Sequence, residues 1–177
     1  VGEASCEACP ANSYSAQTGQ SSCDCAPGWT GPAGSCTQCP AGKFKADFGP
    51  ADCVRCEAGK FKAAAGVNIA CDSCEAGKFK AAAGVNIACD NCVPGKFKAA
   101  GVNTACDSCQ AGKYQATVGA TSESDCTSCP DNANSPQGSA AATACACNAG
   151  YTGANGGACS ACPAGAYKDI SGVVQEC

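Results

Sequence analysis

Hydrophobic and polar positions along this chain recur as one short pattern rather than as long alternating runs. A glycine is followed by Lys-Phe-Lys or a near variant, with a cysteine doublet on either side. Residues 57–72 read EAGKFKAAAGVNIACD, and residues 75–90 repeat those letters, giving a period of 18. A fixed period of this kind predicts stacked repeats. Lys-Phe-Lys alternates with period two, which predicts a very short strand with its ring on one face and its ammonium groups on the other. Repeated along a stack, Tyr14, Phe44, Phe61, Phe79, Phe97, Tyr114 and Tyr167 would form an aromatic ladder against the sulfur, with the lysines outside.

The layout around each ring is regular. A glycine falls three residues after the opening cysteine (Gly42, Gly59, Gly77, Gly95, Gly112, Gly165) and the aromatic falls five after it. A second glycine precedes the closing cysteine (Gly19, Gly49, Gly66, Gly84, Gly101, Gly119, Gly172). Pro94-Gly95 has the residue order of a type II turn, and Ala58-Gly59 and Ala76-Gly77 occupy the same place. After Cys129, Asn134 replaces the aromatic and Pro136-Gln137-Gly138 follows, which predicts a local bend.

The cysteines come as doublets, and the simplest pairing joins the second of one to the first of the next. That gives Cys9–Cys23, Cys25–Cys36, Cys39–Cys53, Cys56–Cys71, Cys74–Cys89, Cys92–Cys106, Cys109–Cys126, Cys129–Cys145, Cys147–Cys159 and Cys162–Cys177. A crossed scheme joining alternate doublets remains open, since spacing alone permits many connectivities. The simple scheme strands Cys6, which is expected to pair with an upstream cysteine in a longer array.

Composition makes the sulfur necessary. Val, Ile and Phe supply only 17 of 177 residues, and Leu, Met and His are absent. The 45% of hydrophobic residues is mostly Ala and the 21 Cys, and Ala buries too little area to hold a compact core of this size. Cysteine at this density signals a disulfide scaffold made in an oxidising compartment. A bridge closing about 15 residues contributes roughly 3 kcal/mol. The expected location is therefore extracellular, secreted or at a cell surface. No apolar run is long enough to span a bilayer. A net charge of −4 with interspersed lysines offers no basic field for nucleic acid. No Asn-x-Ser/Thr sequon occurs, so any glycan is expected on Ser or Thr.

Two units depart from the rest. Cys23-Asp-Cys25-x-x-Gly28-Trp29-x-Gly31 and Cys145-Ala-Cys147-x-x-Gly150-Tyr151-x-Gly153 resemble the C-terminal hairpin of epidermal-growth-factor-like modules. They lie about 122 residues apart, so the chain carries a longer super-repeat. The remaining motif, C-[PEVQ]-[AP]-G-[KA]-[FY] followed by Gly and C-x-x-C, resembles the cysteine-rich repeat of ephrin receptor tyrosine kinases. It is also similar to the first half-module of tumour-necrosis-factor-receptor repeats. Tandem arrays of this type occur in surface glycoproteins of protists and algae, including mastigoneme-like flagellar-hair proteins. The resemblance implies bridges within each loop, an extended rod and an extracellular location, but no ligand-contacting residue.

The expected fold class is a small disulfide-rich chain, mostly coil with very short β-strands, forming an elongated tandem-repeat solenoid. Its expected segments are the end of a repeat at 1–8, a repeat with a growth-factor-like loop at 9–38, and five tandem repeats at 39–128. A second repeat with such a loop follows at 129–161, and a new array starts at 162–177.

Other chemistries compete with the plain scaffold. Paired C-x-x-C motifs approach a zinc spacing, but histidine is absent and the doublets form one uninterrupted series. A redox pair needs a lowered thiol pKa, for which ten tandem doublets supply no setting. The lysines from Lys43 to Lys98 form either a cationic strip for acidic glycans or a solvated face. Glu57, Asp72, Glu75, Asp90 and Asp107 recur in step and would pair them between neighbouring repeats. Calcium needs several oxygen ligands, and the acidic cluster is missing before Cys9, Cys23 and Cys145. No cofactor, metal or enzymatic activity is expected. A structural rod or filament that self-associates is the leading reading, and a receptor-like or adhesive ectodomain is the alternative. Outside the ladder, Trp29 and Phe48 are the exposed aromatics expected.

Overall fold

A computed structural model describes residues 7–15, 18–65, 70–83, 88–101, 105–169 and 177. Cys6, Gly66, Gly84 and Gly172 lie outside the described residues. Almost no helix forms; two 3-10 turns, Glu123–Asp125 and Ala142–Ala144, are the helical elements among the described residues.

The repeating element is a two-stranded antiparallel hairpin of two residues per strand, found nine times among the described residues. In the Lys-aromatic repeats the outgoing strand is that pair, as in Lys43–Phe44, Lys60–Phe61, Lys78–Phe79, Lys96–Phe97 and Lys113–Tyr114. The return strand is the pair of residues inside the next C-x-x-C. Phe44 faces Val54, Phe61 faces Asp72, Phe79 faces Asp90, Phe97 faces Asp107 and Tyr114 faces Thr127. The doublet therefore holds a strand between two bridges, one closing the loop behind it and one opening the loop ahead. Hairpins this small are marginal in water alone, which is where the covalent links matter.

The bridges run in series: Cys9–Cys23, Cys25–Cys36, Cys39–Cys53, Cys56–Cys71, Cys92–Cys106, Cys109–Cys126, Cys129–Cys145, Cys147–Cys159 and Cys162–Cys177. Cys74 and Cys89 are disulfide-bonded as well. Their sulfurs are the interior: Cys25, Cys39, Cys56, Cys92, Cys109, Cys145 and Cys147 are almost wholly buried.

The chain divides into two compact units. One takes in the described residues up to Ser73 together with those of the stretch Lys80–Cys89. The other takes in Cys74–Phe79 and the described residues from Asp90 onward.

Candidate functional site

In most repeats a turn glycine makes the joint between consecutive hairpins. Gly42 sits third in the turn Pro40-Ala41-Gly42-Lys43, closed by the Lys43 N–H donating to the Pro40 carbonyl at 3.1 Å. Its φ of +75° is the left-handed value that a type II turn requires there. Gly95 (+82°) does the same behind Pro94. The glycine then bonds outward in two directions. Its N–H donates to the carbonyl of the residue six after the next opening cysteine: Gly28 to Lys45 (2.8 Å), Gly42 to Lys62 (2.9 Å) and Gly59 to Lys80 (2.9 Å) in one unit. In the other, Gly77 donates to Lys98 (2.7 Å), Gly95 to Gln115 (2.7 Å), Gly112 to Ser135 (2.9 Å) and Gly150 to Lys168 (2.8 Å). Its own carbonyl accepts from the second cysteine of the next doublet, as in Cys56 to Gly42 (2.9 Å) and Cys109 to Gly95 (2.9 Å). At two of these glycines a side chain would not fit: a Cβ on Gly77 would lie 2.2 Å from the Gly119 carbonyl oxygen, and one on Gly95 2.1 Å from that of Gly138.

In the loops after Cys9 and Cys129 the turn position carries Asn12 (φ +64°) and Asn132 (φ +60°). Asn tolerates the left-handed region better than other side chains, so the turn survives without glycine. The hairpin also survives at Asn134, which pairs with Ala146 in the aromatic's place.

The second lysine of each Lys-Phe-Lys is buried, which corrects the expectation that the lysines lie outside. Lys45, Lys62, Lys80, Lys98 and the equivalent Lys168 are 0–6% exposed. The strand ends at the aromatic, so the period-two alternation does not reach the next residue, which turns inward instead. The stem of lysine is apolar, and the ammonium finds backbone carbonyls. The Lys45 ammonium donates to Cys25 (3.1 Å) and to Gly49, the Lys98 ammonium to Gly101 (3.4 Å), and the Lys168 ammonium to Cys147 and Tyr151 (3.2 Å each). Lys62 and Lys80 also engage partners. Burial pushes the Lys62 and Lys80 amines below the ordinary lysine value. It does the same to Lys45, against the opposing pull of Asp24 and Asp47. Gln115 and Ser135 take this interior position in two repeats: the Gln115 amide donates to the Asp125 carbonyl, and the Ser135 hydroxyl to that of Lys113 (2.9 Å).

The first lysines remain near the surface, and their ion pairs are local. Lys60 pairs with Glu57 (3.5 Å) and Lys78 with Glu75 (2.9 Å), each within one turn rather than between neighbouring repeats. Lys113 reaches Glu123 at 3.4 Å. Such exposed pairs contribute little.

Phe44, Phe61, Phe79, Phe97 and Tyr114 are half-buried, while Tyr14 is exposed and Tyr167 is 80% exposed. Tyr14 packs against Phe48, ring centroids 5.3 Å apart and tilted by 54°. Phe48 is exposed, but Trp29 is half-buried, which corrects the expectation for that ring.

Residues 85–126 match the family model described as tyrosine-protein kinase ephrin type A/B receptor-like. The ephrin-receptor-like stretch contains the Cys92–Cys106 bridge and the joint that Gly95 makes with Gln115. No curated protein matches the chain. Bridges in tandem and an ephrin-receptor-like repeat together point to an extracellular, cysteine-rich protein. Among the described residues, no helix is long and apolar enough to cross a membrane, and no group of three or more His, Cys, Asp or Glu is placed to hold a metal ion.

Proposed function

We propose that this chain is an extracellular structural protein, a disulfide-stapled rod that assembles into a filament or a flagellar-hair-like appendage. The observation that carries this reading is the joint from the turn glycine to the carbonyl six residues past the next opening cysteine. It recurs at 2.7–2.9 Å in each unit and links neighbours in sequence. Chains whose repeats contact mainly their neighbours gain stability along one dimension. The role needs no catalysis and no cofactor, and any glycans sit on Ser or Thr. The growth-factor-like character of the loops closed by Cys36 and Cys159 belongs to the same reading, since both continue the joint through Gly28 and Gly150.

A receptor-like or adhesive ectodomain is the second reading, favoured by the description of the matched family. Small-angle scattering of the disulfide-intact chain separates rod from globule. A globule of this length has a radius of gyration of about 16 Å. The rod requires a value well above that, and a value near it ends the proposal. Electron micrographs showing thin fibres favour the filament over the ectodomain.

A further inference from the structure

Phe48 falls outside the repeating positions and is half exposed, as are Tyr14, whose ring meets it, and Val54. Phe48 and Val54 share a hollow of about 220 Å³ with Phe44, Ala46, Asp47 and Asp52. Exposed apolar clusters with a polar rim mark interaction surfaces. The rim here is acidic: Asp47 and Asp52 are both exposed. The nearest cations of the hairpin, Lys43 and Arg55, pair with each other one position along from Phe44 and Val54, and therefore belong to the opposite face. The Lys45 ammonium is held inside by carbonyls.

The other unit carries a surface of opposite character. Gly119 donates its N–H to the Cys92 carbonyl at 2.8 Å, and the residues beside that bond in sequence, Val118 and Val93, are both exposed. Lys96 closes the same turn by donating its N–H to Val93 at 3.2 Å. Its side chain is exposed, with no ion pair among the described residues.

We propose that the Tyr14–Phe48–Val54 patch with its Asp47–Asp52 rim docks onto the Val93–Val118 ridge and Lys96 of a second copy of this chain. Apolar surface meets apolar surface, and the ridge's cation meets the rim's carboxylates. Because the two surfaces differ, the contact is heterologous, and such contacts propagate into open assemblies when they do not close into rings. This contact rests on the filament reading and supplies the surfaces that would build it.

The test is sedimentation equilibrium of the disulfide-intact chain at low salt. Phe48→Asp and Lys96→Glu are each expected to weaken self-association by roughly tenfold or more, as loss of a central contact does. Asp47→Lys with Asp52→Lys weakens it as well, and adding Lys96→Glu to that pair restores it. Bridge mapping and circular dichroism accompany each variant; the double Asp variant also gives up the Thr30 hydroxyl bond to Asp52 (3.1 Å) and the Asp47 charge near Lys45, so restoration by Lys96→Glu is the outcome that identifies the contact. A chain that stays monomeric, an association that ignores Phe48→Asp or Lys96→Glu, or a charge swap that fails to restore it overturns the proposal. An extended monomer by scattering defeats this inference alone, whereas a compact one defeats the filament reading.

Discussion

The Lys45 ammonium donates to the Cys25 carbonyl across 20 residues of chain, at 3.1 Å. Lys168 repeats the contact on Cys147 at 3.2 Å. An internal cation thus serves carbonyls next to a bridge in both copies of the super-repeat.

Removing that cation should cost stability. Lys45→Met keeps the stem and deletes the donor, leaving the Gly49 and Cys25 carbonyls with one partner fewer. A buried acceptor that loses its partner costs about 1–3 kcal/mol. Thermal unfolding with the bridges intact should show the loss for Lys45→Met and Lys168→Met, and no comparable loss for Lys96→Met at the surface.

The buried amines also set a pH dependence. Burial holds Lys62 and Lys80 below the ordinary 10.5, and unfolding returns them to it. Between the lowered value and 10.5 the unfolded chain binds more protons than the folded one. Stability therefore rises with pH through that window and levels off above it. Unfolding temperatures followed through this alkaline range should climb in the parent and climb less steeply in Lys62→Met/Lys80→Met, where the lowered Lys45 amine still contributes.

Gly77 should tolerate no side chain. At Gly77 an added Cβ meets the Gly119 carbonyl oxygen at 2.2 Å and a positive φ as well. At Gly19 the φ is +84° but nothing lies within 4 Å. Gly19→Ala should cost about 1–2 kcal/mol from conformation alone, and Gly77→Ala clearly more. Denaturant titration of the two variants measures the difference, and equal losses would contradict the close approach of Gly77 to the Gly119 carbonyl.

Reduction should dissolve the fold. With each strand two residues long and the interior made of cystine, complete reduction is expected to remove the hairpin signal in the far ultraviolet and restore it only on reoxidation. Retention of that signal after alkylation of every cysteine would show that the sulfur is dispensable.

Much of the hairpin is legible in the sequence. Pro94-Gly95 announces its turn, and the Lys-Phe pair its strand, because both are local choices. The inward lysine is not, since Lys43 and Lys45 look equivalent until the strand is seen to stop at Phe44. The return strand is hidden as well: Asp72-Ser73 and Thr127-Ser128 are polar pairs that read as spacers between cysteines. Asn12 and Asn132 stand where other repeats have glycine, a signal available from spacing and φ preference together. Phe48 sits off the repeat, so no periodicity could point to its contact with Tyr14.

The loops that open on a turn glycine differ in span, from 11 residues at Cys25–Cys36 to 17 at Cys109–Cys126, yet the joints keep their lengths. In the two loops closed by Cys126 and Cys145 the surplus is taken up just before the closing cysteine, where Glu123–Asp125 and Ala142–Ala144 coil into single turns. That stretch is anchored as well as extended: the Asp125 carbonyl takes the buried Gln115 amide and Glu123 meets Lys113, so a peptide spliced there would be displayed on the surface only if both contacts were kept.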